Sequence, residues 1–176
     1  MARKSALAAT AHHEAGHAVV AWLQQMPLVR AHVVPDDRIL GGVRRGNEHY
    51  DAIEGDGWIA RDESANDPAE RARVCVAGFL AERRFTGRGN RRGASSDFEH
   101  FDECLRLFVP EARPYWEDLR AAYRKLFTAQ TRGMIDTHWS LVEALAGALV
   151  ERRDMTGDDV VSVLRHARGE DQPAEY

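Results

Sequence analysis

Thr10-Ala-His-His-Glu-Ala-Gly-His-Ala-Val-Val20 is the most informative stretch of this chain. It lies within a segment rich in Ala, Val, Leu and His that runs from about Ser5 to Gln25 without a proline. The segment stops at Met26-Pro27, and a proline disfavours helical geometry in the residue before it. These features predict a first helix with the stretch at its centre.

His13-Glu14-Ala15-Gly16-His17 matches the H-E-x-x-H pattern. Four residues of helix turn through about 400° and rise about 6 Å, so both imidazoles project from one face within reach of a single ion. Glu14 can accept a proton from a water that zinc has made acidic. The chain has 8 histidines and can carry this pattern by coincidence, but its place on a predicted helix favours a metal site. The motif predicts metal-assisted hydrolysis of peptide bonds.

A zinc ion held by two histidines needs a third protein ligand. No histidine follows the motif at the spacing of its extended form, so the ligand must come from another segment. Asp97, in Gly93–Phe98, is one candidate, at the first turn of a predicted helix where a carboxylate also suits the helix dipole. Glu82, Glu99 and His100 are the alternatives that the residues alone leave open.

Two short strands are predicted after the first helix. Val29–Val34 contains β-branched residues, and Arg38–Arg44 follows it across a Pro35-Asp36-Asp37 turn. A small β-hairpin or sheet edge is therefore expected. The polar, Gly- and Asp-rich residues 46–66 predict a long loop.

The second half of the chain predicts further helices. Asp67-Pro68 fits an N-cap followed by proline, and Gly87 fits the end of that helix. Ser95 or Ser96 is expected to cap the next helix.

Apolar residues recur at spacings of three and four from about 114 to 153, which predicts one long helix or two, with a break near Gly133. Thr156-Gly-Asp-Asp159 resembles a capping box and opens a last helix. The predicted fold is mainly α (α+β): a helical zincin-like domain with a small β-hairpin. We expect residues 1–176 to form one domain, with a core at about 9–166 and a frayed tail at 169–176.

Composition limits the classes of function. The 176 residues carry 24 Lys+Arg and 28 Asp+Glu, a net charge of −4, which argues against a general nucleic-acid binder. The longest apolar stretches are too short for a membrane span, so no membrane insertion is expected. Cys75 and Cys104 have no CxxC partner and are interpreted as buried thiols of a reducing compartment. The expected location is cytoplasmic.

Four segments in the same order resemble the FtsH-type peptidase domain, the proteolytic half of membrane-bound ATP-dependent zinc proteases. His12–Val20 is similar to its zinc motif, and Ala77–Gly87 is similar to its Ala-Gly-Arg-x-Ala-Glu helix that ends in Phe-Gly. Gly93–Phe98 resembles its Gly-Ala-Ser-Asn-Asp segment, whose last Asp is the third zinc ligand. Leu145–Asp159 looks like its closing helices, so the resemblance extends from about residue 9 to residue 164.

The resemblance implies a zinc metalloendopeptidase. His13, His17 and Asp97 would be the Zn²⁺ ligands and Glu14 the general base that activates water. Peptides or unfolded proteins are the implied substrates. Ile39–Arg44 is similar to the strand beside the active-site helix that pairs with an extended substrate.

One departure from the family matters for function. Relatives carry an ATPase module and membrane helices before the peptidase, whereas here the zinc motif begins after 12 residues. We therefore expect ATP-independent hydrolysis by this chain. The alternative is a catalytically inactive, metal-bearing module that binds peptides or proteins, for example as a regulator of a full-length ATP-dependent protease. A zinc hydrolase of small amides or esters is a third possibility, and the oligomeric state and an ATPase partner stay open.

Overall fold

A computed structural model describes residues 6–33, 42–45, 67–111 and 114–170. In these residues the helices are α1 (Ala6–Leu23), α2 (Pro68–Thr86), α3 (Ser95–Phe108), α4 (Trp116–Thr137), α5 (Trp139–Arg152) and α6 (Gly157–Arg168). The strands are β1 (Leu28–His32), β2 (Gly42–Arg45) and β3 (Asp154–Thr156). The prediction of a mainly helical fold with a small β element is confirmed.

Helix α1 lies at the centre of the fold, between α2 and α5. Most of its residues from Ala11 to Ala21 are buried. A Cβ atom at Gly16 would lie 2.6 Å from Ala81 Cβ and 2.8 Å from the carbonyl oxygen of Ala77. The small residues on both helices therefore allow α1 and α2 to approach closely, which places the H-E-x-x-H face of α1 against α2.

Helix α2 begins and ends as its sequence predicts. The Asp67 side chain accepts a hydrogen bond from the Ala69 amide at 2.9 Å, and Pro68 occupies the first helical position. Gly87 ends the helix with a φ of 78°, a left-handed conformation that favours glycine.

The sheet has the order β2-β1-β3, and both pairings are antiparallel. The predicted pairing of two strands after α1 is confirmed by β1 and β2, whereas the turn between them and the predicted loop at 46–66 lie outside the described residues. The sequence analysis missed β3, whose three residues are too few for a recognisable pattern. The Thr156 capping box is confirmed, because its side chain accepts from the Asp159 amide and Asp159 accepts from the Thr156 amide.

Two predicted helix boundaries were wrong. Neither Ser95 nor Ser96 caps α3, because Ala94 is the N-cap residue and no side chain bonds to the first turn. The break between α4 and α5 lies at His138 and not near Gly133. Gly133 continues α4 on an exposed face, where a helix tolerates glycine at a cost of about 1 kcal/mol.

The core is built from the apolar faces of the helices, with Phe101, Leu105 and Leu145 among its fully buried members. Cys75 and Cys104 are buried as thiols, as expected. No helix in the described residues is long and apolar enough to cross a membrane. The single-domain organisation stays a prediction, and most of the tail predicted to fray, 171–176, lies outside the described residues.

Candidate metal centre

The two histidines of the H-E-x-x-H motif face each other on α1. Their Nε2 atoms are 3.0 Å apart. The His17 side chain is fully buried, and the His13 side chain retains only 12% of its exposure. The helical spacing thus brings both imidazoles to one point, as the sequence predicts.

Asp97 reaches the same point from the first turn of α3, although 84 residues separate it from His13. Its Oδ2 atom lies 3.0 Å from His13 Nε2 and 3.4 Å from His17 Nε2. The neighbouring Phe98 packs edge-to-face on Phe79 of α2, with the ring centroids 5.1 Å apart, which fixes this turn of α3 against α2. Asp97 is consequently buried, with 4% of its surface exposed.

The outer nitrogen of each histidine has an acceptor. His17 Nδ1 lies 2.8 Å from the carbonyl oxygen of Val74, so Nδ1 carries the proton there. His13 Nδ1 lies 3.3 Å from Glu82 Oε2, an arrangement in which Nδ1 donates to the carboxylate. With these tautomers both Nε2 atoms present lone pairs to each other and to Asp97.

Two lone pairs and a carboxylate oxygen within 3.4 Å repel one another unless a proton or a cation lies between them. Tetrahedral zinc with bonds of about 2.0–2.2 Å separates its ligand atoms by about 3.4 Å. The three observed separations, 3.0, 3.0 and 3.4 Å, are close to that value. Two imidazoles and one carboxylate are also a donor set of the kind found in catalytic zinc sites, so the residues fit the ion.

Among the described residues, His13, His17 and Asp97 are the one group of three side chains placed to hold a metal ion. The structure brings together the three side chains that the resemblance implies as ligands. Metal binding itself stays a prediction. Glu82, an alternative third ligand, contacts the far nitrogen of His13 instead, and Glu99 is exposed.

Glu14 lies beside this group with 4% of its surface exposed. Its Oε2 atom is buried and has no hydrogen-bond partner among the described residues. Burial raises the pKa of Glu14 to about 8, and the nearby His13 opposes that rise. A buried carboxylate with one unpartnered oxygen is suited to accepting a proton from a water bound next to it.

Burial and mutual hydrogen bonds shift the pKa values of His13, His17 and Asp97 in the metal-free group. Burial lowers the pKa of His13, but the hydrogen bonds to Asp97 and Glu82 raise it to about 10 overall. Burial lowers the pKa of His17. Burial would raise the pKa of Asp97, yet the two histidines hold it well below its usual range. In the metal-free protein the raised pKa favours a protonated His13, whose positive charge lies between the carboxylates of Asp97 and Glu82.

Gly78 on α2 lies directly against the two imidazoles. A Cβ atom at this position would lie 2.2 Å from His17 Nε2 and 2.6 Å from His13 Nε2. Sequence reasoning included Gly78 in the Ala77–Gly87 resemblance but gave it no role. The packing of α1 on α2 is what leaves no room for a side chain at this position.

His12, next to the first histidine of the motif, packs against aromatic rings. Its ring stacks on Phe85 with the centroids 3.6 Å apart, and Trp139 lies beyond at 5.7 Å. Its Nδ1 atom lies 2.7 Å from the carbonyl oxygen of Ala8. These contacts direct the imidazole away from the candidate metal centre.

A helix that carries two histidines and a buried glutamate, together with a carboxylate from another helix, forms a group that could hold a metal ion. The chain is similar to the ATP-dependent zinc metalloprotease FTSH 9, chloroplastic/mitochondrial, of rice (Oryza sativa subsp. japonica). The two are 26% identical over 193 aligned positions, which include 93% of this chain and 22% of the rice protein. The chain thus spans about a fifth of the length of the curated relative it matches. It matches no family model.

Proposed function

We propose that this chain is a zinc-dependent metallopeptidase that hydrolyses peptide bonds without ATP. The observation that carries the proposal is the convergence of His13 Nε2, His17 Nε2 and Asp97 Oδ2 beside the unpartnered carboxylate oxygen of Glu14. The similarity to a zinc metalloprotease over 93% of the chain supports the same reaction class. The substrates would be peptides or unfolded proteins.

His13, His17 and Asp97 would hold the ion. When bound, zinc supplies a Lewis acid that lowers the pKa of a water molecule and polarises a carbonyl oxygen. The Val74 carbonyl and the Glu82 carboxylate keep the outer nitrogens of the histidines protonated, so that both Nε2 atoms remain available as ligands.

Glu14 would act as the general base. Its carboxylate takes the proton of the attacking water and then gives that proton to the amine that leaves when the peptide bond breaks. Burial favours the protonated form of Glu14, which makes its carboxylate a stronger base than an exposed glutamate. The same burial excludes bulk water from the reacting groups.

The substrate would bind in an extended conformation along β2. In the described sheet β2 is an edge strand, because β1 pairs with it on one side only. An edge strand offers unpaired backbone groups to an extended peptide. Helix α1 contacts this strand, so a peptide on its free edge would lie near the element that carries the histidines.

Cleavage of casein in the absence of ATP tests the proposal. Glu14→Gln should retain the zinc of the wild type and lose at least about 100-fold in turnover, because a general base contributes about 10²–10⁴. Glu143→Gln, at an exposed site on α5, is the matched control and should cleave at the wild-type rate. Chelation of the metal should stop cleavage in the wild type and the control.

Other outcomes of these assays would each favour a different function. An unchanged rate in Glu14→Gln would remove Glu14 from the mechanism. Wild-type protein that binds zinc and casein without cutting the casein would favour the inactive binding module. Turnover of small amides or esters without casein cleavage would identify a small-molecule hydrolase.

A further inference from the structure

A second site lies on a different face of α2 from the one that packs on α1. A cavity of about 550 Å³ opens between α2, α3 and α4. Its size falls within the range of about 300–1,000 Å³ that is typical of small-molecule pockets. None of its lining residues is a ligand of the candidate metal centre.

The floor of this cavity is apolar. Val76, Leu80 and Phe101 are buried at its base. Phe79 and Phe98 are partly buried and form an edge-to-face pair beside them. The floor therefore favours an aromatic ring or an alkyl chain over a fully hydrated ligand.

The rim of the cavity is cationic. Among the described residues, its lining contains no acidic side chain and four exposed arginines: Arg83, Arg91, Arg124 and Arg132. The chain as a whole has a net charge of −4, so this rim has the opposite sign to the protein. Such a local excess of positive charge attracts anions.

Three of these arginines form no ion pair within the described part of the chain. Arg124 pairs with Asp102. The Arg91 guanidinium lies over the Phe98 ring, 5.8 Å from its centroid, and no acidic residue pairs with Arg83 or Arg132 among the described residues. Both also border a neighbouring cavity of about 280 Å³, in which Asp136 pairs with Arg84 instead. Arg83 and Arg132 thus line both cavities, and their side chains donate no hydrogen bond to any described residue.

We propose that this cavity binds a small amphipathic anion, an aromatic or aliphatic acid with one carboxylate or sulfonate group. The guanidinium groups of Arg83 and Arg132 would hold the anionic group, since their planar donors match two acceptor oxygens. The apolar part would lie on the floor formed by Val76, Leu80 and Phe101. A bare inorganic anion would leave that floor uncovered, so both parts of the ligand contribute.

The test uses 8-anilinonaphthalene-1-sulfonate as the probe and measures its fluorescence on titration with the purified full chain. Arg83→Gln/Arg132→Gln should weaken probe binding at least tenfold, which corresponds to about 1.4 kcal/mol. Arg165→Gln, at an exposed site on α6, is the matched control and should bind as the wild type does. Thermal unfolding of all three proteins checks that the probe reports a site in the folded state.

The chemistry of the ligand is tested separately. N-phenyl-1-naphthylamine has the same aromatic body without the sulfonate and should bind at least tenfold more weakly than the sulfonate. Dodecanoate should displace the sulfonate probe, whereas dodecanol should not. Binding should persist after chelation of metal and in Glu14→Gln, because the cavity is separate from the metal centre.

Three results would overturn the proposal. Equal probe binding by the double variant and the wild type would exclude the two arginines. Equal binding of the charged and uncharged probes would reduce the site to an apolar surface. No saturable binding to the folded wild type would exclude the site altogether.

Discussion

Gly78→Ala should abolish high-affinity zinc binding while leaving the chain folded. The added Cβ would lie 2.2 Å from His17 Nε2, whereas non-bonded carbon contacts settle at about 3.5 Å, so the imidazole must retreat by about 1 Å. Metal–ligand distances tolerate changes of only about 0.2 Å. The imidazole has no room to move without cost, because His17 is fully buried and its Nδ1 bonds to Val74.

The effects on stability and on metal binding should separate. Overpacking costs about 1–3 kcal/mol, while replacing a helical glycine by alanine returns up to about 1 kcal/mol. The net loss of about 0–3 kcal/mol in the metal-free protein is smaller than a typical folding free energy of about 5–15 kcal/mol. The loss of affinity should exceed the roughly 10–100-fold that follows removal of an outer partner of a ligand.

Isothermal titration with zinc, alongside denaturant unfolding of the chelated protein, measures both effects. Gly133→Ala is the matched control, since a Cβ there meets nothing within 4 Å. It should keep wild-type zinc affinity and gain about 0.5–1 kcal/mol of stability. If Gly78→Ala bound zinc as tightly as the control, the imidazoles would not be the ligands in the arrangement described here.

Glu82→Gln should lower zinc affinity by about 10–100-fold, because it weakens the acceptor that orients His13; unchanged affinity in a zinc titration would refute this role. Asp154→Asn should lose less than about 1 kcal/mol at pH 7, since the hydrogen-bonded pair with Arg30 is exposed. The hydrogen bond from Arg30 lowers the pKa of Asp154 in the folded protein. The stability that the pair contributes is therefore present above the unfolded-state pKa of Asp154 and is lost as the pH falls through its folded-state pKa. A stability difference between Asp154→Asn and the wild type that grows in acid would contradict this prediction. Leu145→Ala, in the fully buried core, should cost about 2–5 kcal/mol in denaturant unfolding, and a loss below about 1 kcal/mol would mean that the site collapses around the smaller side chain.

Sequence patterns correctly predicted the structural elements that depend on residues close together in the chain. The H-E-x-x-H spacing placed His13 and His17 on one face, and the Asp67-Pro68 pair located the start of α2. The break at His138 was missed because a glycine in sequence resembles a helix break, whereas α4 continues through Gly133 on its exposed face. Helix α5 packs against α1, far away in the sequence, and no local pattern encodes that contact.

In the candidate site, too, the sequence predicted some features, whereas others depend on tertiary packing. Residue patterns alone did not decide between Asp97 and the alternatives Glu82, Glu99 and His100, and the resemblance favoured Asp97 as the ligand. The packing of α2 and α3 then places the Asp97 carboxylate at Nε2 of His13 and the Glu82 carboxylate at its Nδ1. The close contact of Gly78 with the imidazoles could not be predicted, because glycine has no side chain whose chemistry would indicate a role.

The long chain separation between the histidines and Asp97 has a consequence for how the protein folds. His13 and His17 come together as soon as α1 forms, a local event that takes about a microsecond. Asp97 reaches them only through the packing of α2 on α1 and of α3 on α2, which closes a loop of 84 residues. If the group holds zinc, two ligands would bind the ion weakly before that packing is complete. Tight binding would then require the completed tertiary structure.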